Sequence, residues 1–393
     1  MLLRILKLKN NILFPIAILL LLVFASFRFV VPSWVAWNKN RIELSPPYKV
    51  SAEASELHQS LTIADLHADT LLWGRNILKR SKIGHIDLPR LIDGNVSLQV
   101  FSVVTKTPKA LNLKRNDDKS DNITLLALAQ GWSWKSLSSL SERALYQAHQ
   151  LHDYADKSDG ELILIKSAKN LEDFFALRKN NHNIVAGLLS LEGAHALEGK
   201  IENLNKLYQA GFRILGLTHF FDNDVGGSAH GLKKEGLTEF GRKVVKHAQA
   251  MHMLIDLSHA SSKLIQDVLE ISTQPVVVSH TGVKGTCDRS RNLTDDQILG
   301  VAKTGGLIGI GFWPTAICGH NAREIAQAAH YAKNIAGIEH IALGSDFDGA
   351  VSVPFDISGL SLLTEALLNE GFSQHEIRLF MGGNVVKLFL NAL

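Results

Sequence analysis

Several apolar, strand-like runs in this chain end on residue types that bind metal ions. Glu192 ends the run that begins at Gly187, and a buried carboxylate there costs several kcal/mol unless a cation meets it. Four other runs end in the same way, at His67 with Asp69, at His219, at His259 and at His280. Five run ends directed at one place predict a site for more than one metal ion.

The spacing of these residues indicates which of them share an ion. Residues two apart on an extended strand point to the same side, so His67 and Asp69 can bind one ion together. A lone histidine after an apolar run is more often a core residue than a ligand, but His259 and His280 follow consecutive runs. Imidazole and carboxylate ligands suit zinc, and Glu192 can bridge two ions that lie about 3.5 to 4 Å apart.

Eight apolar runs alternate with segments that are mostly long enough for helices. The runs are at about 62–69, 95–105, 184–192, 212–219, 253–259, 275–280, 305–312 and 340–346. Apolar residues at helical spacing predict helices at Ile201–Ala210 and Thr238–Met251, and a longer helical pattern covers Asp121–Lys157. The simplest α/β architecture with eight such units is a closed (β/α)8 TIM barrel, with catalytic residues at the carboxyl ends of its strands. An open doubly wound sheet is the alternative, but no Gly-rich phosphate fingerprint follows the first strand.

The N-terminus differs from the rest of the chain. Basic residues at positions 4, 7 and 9 precede the apolar stretch Ile12–Phe27, and after Arg28 a second apolar stretch covers Phe29–Trp37. This is near the roughly 20 residues that a membrane span needs, and the basic flank places the N-terminus inside. We expect residues 1–37 to anchor the protein with its catalytic domain on the extracytoplasmic side, periplasmic or extracellular; a cleaved signal peptide is the alternative. Residues 38–60 are expected to form a linker and residues 61–393 one catalytic domain.

The net charge and the cysteine count bear on the binding partners of the protein and on its cellular compartment. The 393 residues carry a formal net charge of +3 and no basic stripe, so we expect a small-molecule partner and no nucleic acid. The only two cysteines, Cys287 and Cys318, follow the sixth and seventh predicted strands, so their loops would share one face of the barrel. An even count and an exported location favour a disulfide between them, and two free buried thiols are the alternative.

A set of motifs runs through the segments that carry the candidate ligands. They are Leu191-Glu-Gly-Ala-His-Ala-Leu197, then Leu204, Tyr208 and Gly211-Phe-Arg213, Leu217-Thr-His219, Asp256-Leu-Ser-His259, Ser279-His280, Arg291-Asn292 and Gly344-Ser-Asp-Phe-Asp-Gly349. With these motifs the chain resembles the renal, or membrane, dipeptidase family of zinc metallopeptidases, within the amidohydrolase-like barrels. The resemblance covers roughly residues 60–390.

The resemblance implies two zinc ions per chain and a hydroxide between them that attacks the peptide bond of a dipeptide. The ligand sets it implies are His67 and Asp69 for one zinc, His259 and His280 for the other, and Glu192 for both. His219 would then contact the substrate or its tetrahedral intermediate, as an oxyanion-hole donor does. Arg291 would bind the terminal carboxylate of the substrate through two parallel hydrogen bonds. Asp346, at the end of the eighth strand, would face the same site and deliver a proton to the departing amine.

Two alternatives keep the fold and change the function. One is another binuclear-metal amidohydrolase, such as an N-acyl amino acid deacylase, a lactonase or a phosphotriesterase; such relatives often bridge their metals with a modified lysine, whereas Glu192 stands here. The other is a non-catalytic, membrane-tethered binding protein, which the retention of all ligands and of Asp346 disfavours. The sequence is compatible with a homodimer as well as with a monomer.

Overall fold

The computed structural model describes the backbone of residues 2–393 and the side chains of residues 14–393. Its strands are β1 (Arg41–Ile42), β2 (Ile63–Ala68), β3 (Val96–Val104), β4 (Leu162–Leu164), β5 (Val185–Glu192), β6 (Phe212–Gly216), β7 (Leu254–Asp256), β8 (Val276–Thr281), β9 (Leu307–Ile310), β10 (Ile341–Leu343) and β11 (Ser352–Val353). Eight of these strands, namely β2, β3 and β5 to β10, are parallel neighbours, and the pairing of β3 with β5 closes them into a barrel. The predicted (β/α)8 barrel is confirmed, and each of its eight predicted runs contains one barrel strand.

Every residue of the eight barrel strands is buried. Parallel strands with helices outside them bury both faces, which explains why these segments read as nearly continuous apolar runs rather than as alternating ones. One large cluster of apolar side chains covers most of the barrel and its helices. A second cluster packs strand residues such as Leu66 and Val100 with Phe174 and Phe389 of the surrounding helices. The carboxyl ends of the strands are therefore held on a rigid scaffold.

The helices surround the barrel and connect its strands. They are α1 (Leu2–Ala25), α2 (Val31–Lys39), α3 (Ala52–Gln59), α4 (Leu88–Asp93), α5 (Ile123–Gln130), α6 (Trp134–Ser138), α7 (Leu140–Asp156), α8 (Ala168–Arg178), α9 (Ile201–Gln209), α10 (Glu239–Ala250), α11 (Ser262–Ile271), α12 (Asp295–Lys303), α13 (Pro314–Ile317), α14 (Ala322–Ala336), α15 (Leu360–Asn369), α16 (Gln374–Arg378) and α17 (Asn384–Ala392). The two short helical predictions match α9 and α10.

The long helical pattern predicted at Asp121–Lys157 is three helices, because local signals interrupt it twice. Gly131 ends α5 with a positive φ of 69°, a conformation that glycine adopts without steric cost. Ser133 and Ser139 then cap α6 and α7, each accepting a hydrogen bond from the backbone three residues later. These short helices form part of the long connection between β3 and β5.

The two cysteines form a disulfide between the loops that follow β8 and β9, as predicted. Cys287 lies in the loop after β8, and Cys318 directly follows α13. Asn292 strengthens the same connection, since its side-chain amide donates to the carbonyls of Cys287 and Ala316. The loop that carries Arg291 is therefore fixed to its neighbour.

The N-terminal segment is helical and continues into the barrel domain. The helix Phe14–Lys39 has a mean hydropathy of 2.5 and, within the described side chains, is the one helix long and apolar enough to cross a membrane. The basic residues at positions 4, 7 and 9 lie outside the described side chains. Pro32 and Ala36 of α2 are buried, and Ala36 shares an apolar cluster with Leu72 and Trp73.

The segment predicted as a linker, residues 38–60, carries ordered structure. Strand β1 pairs with β11, and the Asn40 side chain accepts a hydrogen bond from the Ala350 backbone. Helix α3 packs against α15 and buries Ala54, Leu57 and His58. Residues from α2 onward are thus packed on the barrel, and the division into anchor, linker and catalytic domain stays a prediction.

Candidate metal centre

The five predicted metal ligands lie together at the carboxyl ends of the barrel strands. His67 and Glu192 stand at the ends of β2 and β5, Asp69 follows β2, His280 lies in β8, and His259 comes three residues after β7. All five side chains are buried. His259 has a positive φ of 61°, which marks the sharp turn that its loop makes at this point.

Glu192 is the centre of this group. Its Oε1 atom lies 3.1 Å from Nε2 of His259, 3.4 Å from Nε2 of His280 and 3.7 Å from Nε2 of His67. His67 Nε2 is in turn 3.5 Å from Oδ1 of Asp69. The imidazoles therefore present the same type of ring nitrogen to one carboxylate.

The donor atoms divide into two groups that share Glu192. Ligand atoms of His67, Asp69 and Glu192 all lie within 4.8 Å of one another, and the same holds for Glu192, His259 and His280. This division is the one that the sequence predicts for two metal ions. A third group of this kind is His67 with Asp256 and His280. Its carboxylate, Asp256, already accepts three hydrogen bonds from Ser258 and Ser279.

Several buried polar atoms of the cluster have no hydrogen-bond partner among the described residues. Those that face the cluster are Nε2 of His67, Oδ1 of Asp69 and Oε2 of Glu192. Buried polar groups are almost always paired, so these atoms point to a ligand that accepts electron pairs. A donor set of imidazole nitrogens and carboxylate oxygens fits zinc.

The ionisation of the cluster agrees with this fit. Burial and the nearby Asp69 carboxylate raise the pKa of Glu192 well above its ordinary value. Burial lowers the pKa of His67, but Glu192 and Asp69 outweigh that effect and raise it to about 10. Burial lowers the pKa of both His259 and His280 well below the ordinary value, so these imidazoles are neutral at neutral pH. The carboxylates here favour cations, and the neutral imidazoles can act as ligands.

Ser279 contacts one histidine of each ligand group, on the side of the ring away from Glu192. Its hydroxyl oxygen lies 2.5 Å from Oδ2 of Asp256, and 2.9 Å and 3.0 Å from Nδ1 of His67 and His280. A serine hydroxyl has one proton and two lone pairs, so donation to Asp256 leaves it able to accept from both imidazoles. Both Nδ1 atoms then carry the proton, and both Nε2 atoms face Glu192 as potential ligands.

Asp346 lies in the same buried group, at the end of the eighth barrel strand. It has a positive φ of 60°. The preceding Ser345 donates both its backbone N–H and its hydroxyl to Asp65 of β2, which fixes the turn. Burial raises the pKa of the Asp346 carboxyl to about 7, against the lowering effects of His67 and Arg291.

His219 and Arg291 complete the surroundings of Glu192. His219 is buried with Nε2 at 3.5 Å from Oε2 of Glu192, and burial lowers the pKa of its imidazole well below the ordinary value. Arg291 donates from Nη2 to the His280 carbonyl at 2.8 Å, and its guanidinium lies 4.8 Å from the centre of the Trp313 ring. Its buried Nε atom has no partner among the described residues.

A family model described as membrane dipeptidase, peptidase family M19, matches residues 51–392. The chain belongs to this family. It is 31% identical over 325 residues to dipeptidase 3 of Mus musculus, covering 78% of this chain and 63% of that protein. It is 30% identical over 326 residues to dipeptidase 3 of Macaca fascicularis, covering 79% of this chain and 64% of that protein. An uncharacterized dipeptidase of Schizosaccharomyces pombe is 28% identical over 318 residues, covering 78% of this chain and 73% of that protein.

Solved structures share the fold. A metallopeptidase from Rhodobacter sphaeroides, liganded with a phosphinate mimic of the dipeptide L-Ala-D-Ala, superposes with a TM-score of 0.70 at 24% identity, over 85% of this chain and 99% of that one. The probable dipeptidase PvdM of Pseudomonas aeruginosa gives a TM-score of 0.73 at 19% identity, over 86% and 97%. These likenesses show that the chain shares the barrel fold of these two proteins.

The family resemblance and the polar residues at the strand ends predicted residues that face the site. They did not predict the buried polar residues that lie behind these ligands in the barrel. Asp65, Asp256, Ser279 and Ser345 are all buried, and none of them was singled out for the site. A usable signal was present, since Asp65 and Ser279 are polar residues inside buried strands, just before the predicted ligands His67 and His280. Sequence alone does not show that Asp256 and Ser279, 23 residues apart, share a hydrogen bond.

Other histidines and acids near the barrel have structural partners. His195 Nε2 contacts the Thr105 hydroxyl, and His230 donates to the Leu113 carbonyl. Asp348 pairs with Arg75 and accepts from the His85 backbone. None of these three residues belongs to the groups of ligand atoms that lie within 4.8 Å of one another.

Proposed function

We propose that this M19 chain is a binuclear zinc dipeptidase that hydrolyses dipeptides with a free C-terminal carboxylate. The observation that carries the proposal is that two ligand groups share Glu192, with Asp346, His219 and Arg291 around the same carboxylate. Family membership supports hydrolysis of a peptide bond. The chain spans about 64% of the length of the first curated relatives it matches, so their activity is part of the proposal.

The ligand assignment follows the two groups of donor atoms. His67 and Asp69 would hold one zinc ion, His259 and His280 would hold the other, and Glu192 would hold both. When bound, zinc supplies an activated water and a Lewis acid for the substrate carbonyl. Ser279 would hold the Nδ1 protons of His67 and His280, so that Nε2 is the ring nitrogen left for zinc. At His67, whose pKa is raised to about 10, zinc binding would displace a proton from Nε2.

Arg291 would bind the substrate carboxylate. Only one guanidinium group faces this cluster among the residues described, and one of its nitrogens is held by the His280 carbonyl while buried Nε is free. A buried donor without a partner suits an incoming carboxylate, which a planar guanidinium holds with parallel hydrogen bonds. Trp313 lies against the guanidinium and limits its movement.

Asp346 and His219 would handle the proton and the developing charge. As the new carbon–oxygen bond forms, Asp346 accepts a proton from the attacking water, then gives it to the amine nitrogen as the carbon–nitrogen bond breaks. A carboxyl with a pKa of about 7 suits both directions of this transfer. His219 is a neutral donor whose N–H would stabilise the negative charge on the carbonyl oxygen.

The N-terminal segment would hold the enzyme at a membrane. We propose residues 1–37 as the anchor, residues 38–60 as the connection and residues 61–393 as the catalytic domain, which lies on the extracytoplasmic side. The exposed apolar helix Phe14–Lys39 and the basic residues before it support this orientation.

The test is a turnover screen of the zinc-loaded full chain in detergent. L,L- and L,D-dipeptides, C-terminally amidated dipeptides, N-acyl amino acids and lactones are compared at one concentration, and zinc content is measured on the same sample. We expect cleavage of free dipeptides and about two zinc ions per chain. Preferred turnover of N-acyl amino acids or lactones would replace the dipeptidase assignment, and zinc binding without any turnover would favour the binding protein.

A further inference from the structure

An apolar surface lies beside the N-terminal helix, on α5 and α6. Leu125, Leu128 and Trp134 are 55%, 44% and 83% exposed, which is unusual for large apolar side chains in one short segment. The opposite face of α5 is buried, since Ile123 and Ala127 share an apolar cluster with Ala36 of α2. Helix α5 therefore has one face on the protein and one face free.

Arg28 of the N-terminal helix forms a hydrogen bond with α5. Its guanidinium donates from Nη1 to the Ala129 carbonyl at 3.2 Å, and a Cβ at Gly131 would lie 2.8 Å from its Nη2 atom. The turn between α5 and α6 thus contacts the anchor helix at Arg28. Phe29 and Val30, the next residues, are 70% and 58% exposed.

The length of the apolar stretch places this contact relative to a bilayer. Ile12 to Val31 is 20 residues, the number that crosses a hydrocarbon core of about 30 Å at 1.5 Å per residue. Arg28 lies three residues before Val31, the carboxyl end of this stretch. At 1.5 Å per residue, Arg28 is therefore about 4.5 Å inside the hydrocarbon core from that end. The turn that binds Arg28 must then lie at the membrane boundary.

We propose that Leu125, Leu128 and Trp134 form a second membrane contact, inserted into the interface of the leaflet that the barrel faces. The proposal rests on the proposed anchoring by residues 1–37. A bilayer is the occupant that the chain itself brings to this surface, because the anchor contacts the turn beside it at Arg28. A tryptophan at this level is in the environment that its amphipathic ring prefers.

This contact would also orient the metal centre. Helix α2 packs through Ala36 on Leu72 and Trp73, in the turn that follows Asp69. Asn40 binds the Ala350 backbone in the loop that follows Asp346. The membrane-facing segment therefore lies on the same side of the barrel as the site, so substrates would reach it from the space next to the bilayer.

Single new cysteines test the contact, because the two native cysteines are joined and every described cysteine is accounted for. Leu125→Cys, Leu128→Cys and Trp134→Cys are made in the full chain, labelled with an environment-sensitive fluorophore and placed in vesicles. A fraction of the lipids carries a spin label near the headgroup. Leu177→Cys is the matched control: it is 57% exposed on α8, next to Arg178, whose side chain bonds residues at the amino ends of β3 and β5.

We expect at least threefold stronger quenching at the three surface positions than at Leu177→Cys. Leu128→Glu in the Trp134→Cys background should relieve that quenching, whereas Leu177→Glu in the same background should not. Leu21→Cys, near the bilayer centre, reports insertion separately, in vesicles whose lipids carry the spin label at the end of an acyl chain. Quenching at Leu21→Cys without quenching at Leu128→Cys would overturn the second contact and leave the anchor. Loss at both positions would overturn both, and crosslinking between Leu128→Cys chains without lipid quenching would make the surface a dimer interface instead.

Discussion

An imidazole binds a metal through one ring nitrogen, so the group that holds the proton on the other nitrogen decides how well the ligand is oriented. Ser279 does this for His67 and His280 at once, and its own proton goes to Asp256. Because one ligand belongs to each proposed zinc, a single hydroxyl supports both ions. Removal of the Ser279 hydroxyl should therefore weaken the binding of both zinc ions.

Ser279→Ala should lower zinc affinity by about 10- to 100-fold while the barrel stays folded, because both imidazoles lose their acceptor. Competition with a chelator measures the affinity, and circular dichroism checks the fold. Ser258→Ala is the control, since the Ser258 hydroxyl contacts Ser279 and the His280 backbone but neither imidazole. Equal zinc affinity in Ser279→Ala and wild type would reduce Ser279 to a packing residue.

Glu192→Gln should lose most activity and at least one zinc ion per chain. A neutral amide cannot bridge two dications or offset their charge as a carboxylate does. Metal analysis of the purified variant measures this, and Glu172→Gln, at an exposed position of α8, is the matched control. A Glu192→Gln protein with two zinc ions and full activity would show that another group is the bridge.

Arg291→Ala should lower kcat/KM for dipeptides by roughly two orders of magnitude, since truncating one partner of a buried charge pair costs about 2 to 5 kcal/mol. Arg291→Lys should recover only part, because it restores the charge and not the parallel donors. Amidation of the substrate should cause the same loss, and the two losses should not add, since both remove one interaction. An unchanged ratio between free and amidated dipeptides in Arg291→Ala would contradict the assignment.

At the scale of elements, sequence reasoning succeeded where one local rule applied. The eight barrel strands lie in largely apolar runs, and buried parallel strands require such runs. Sequence reasoning missed β4, a short apolar strand outside the closed barrel, which pairs only with the amino end of β5. Sequence reasoning also missed that residues 38–60 are structured. The pairing of β1 with β11 joins residues about 310 positions apart, and no local pattern reveals such a pairing.

Helix α3 shows how that segment is held, and its histidine makes the packing dependent on pH. His58 is buried, with Nδ1 at 2.8 Å from the Thr364 hydroxyl and Nε2 at 3.2 Å from the Gly94 carbonyl. Burial lowers its pKa from 6.5 to about 4. Between these values the unfolded chain binds a proton that the folded chain does not, so stability falls as pH falls from about 6.5 to about 4.

His58→Gln should reduce this acid sensitivity, because an amide can keep the hydrogen bonds and does not titrate. The histidine contributes a slope of up to about 1.4 kcal/mol per pH unit, or about 3 kcal/mol over the whole range. Thermal unfolding midpoints of the full chain in detergent, taken from pH 4 to 7, measure it. His375→Gln, at an exposed position of α16, is the control. Parallel pH profiles for His58→Gln and wild type would contradict this account.

At the scale of the whole molecule, two roles for the N-terminal helix are compared: a permanent membrane anchor and a signal peptide that is cleaved off. A membrane anchor and a cleaved signal peptide share a basic flank and an apolar core, but only an anchor stays part of the mature fold. Here a π-helical segment, Ser26–Val30, joins the apolar helix to α2, whose Pro32 and Ala36 are buried on the barrel domain. Cleavage before Pro32 would therefore remove the apolar helix and leave its packed end in place.

We expect the full-length protein to remain in the membrane pellet after alkaline washing, since residues 14–24 form an exposed, apolar helical stretch that a bilayer would cover. Mass spectrometry of the pellet should find the intact N-terminal segment. Leu20→Arg with Leu21→Arg should release the chain to the supernatant, because a charge at the bilayer centre costs about 2.5 to 3.5 kcal/mol per residue. Leu177→Arg, an equal change on the exposed surface of α8, should leave the chain in the pellet. Recovery of a shortened, soluble wild-type protein that begins near residue 31 would instead identify the segment as a signal peptide, and the barrel would then act free of the membrane.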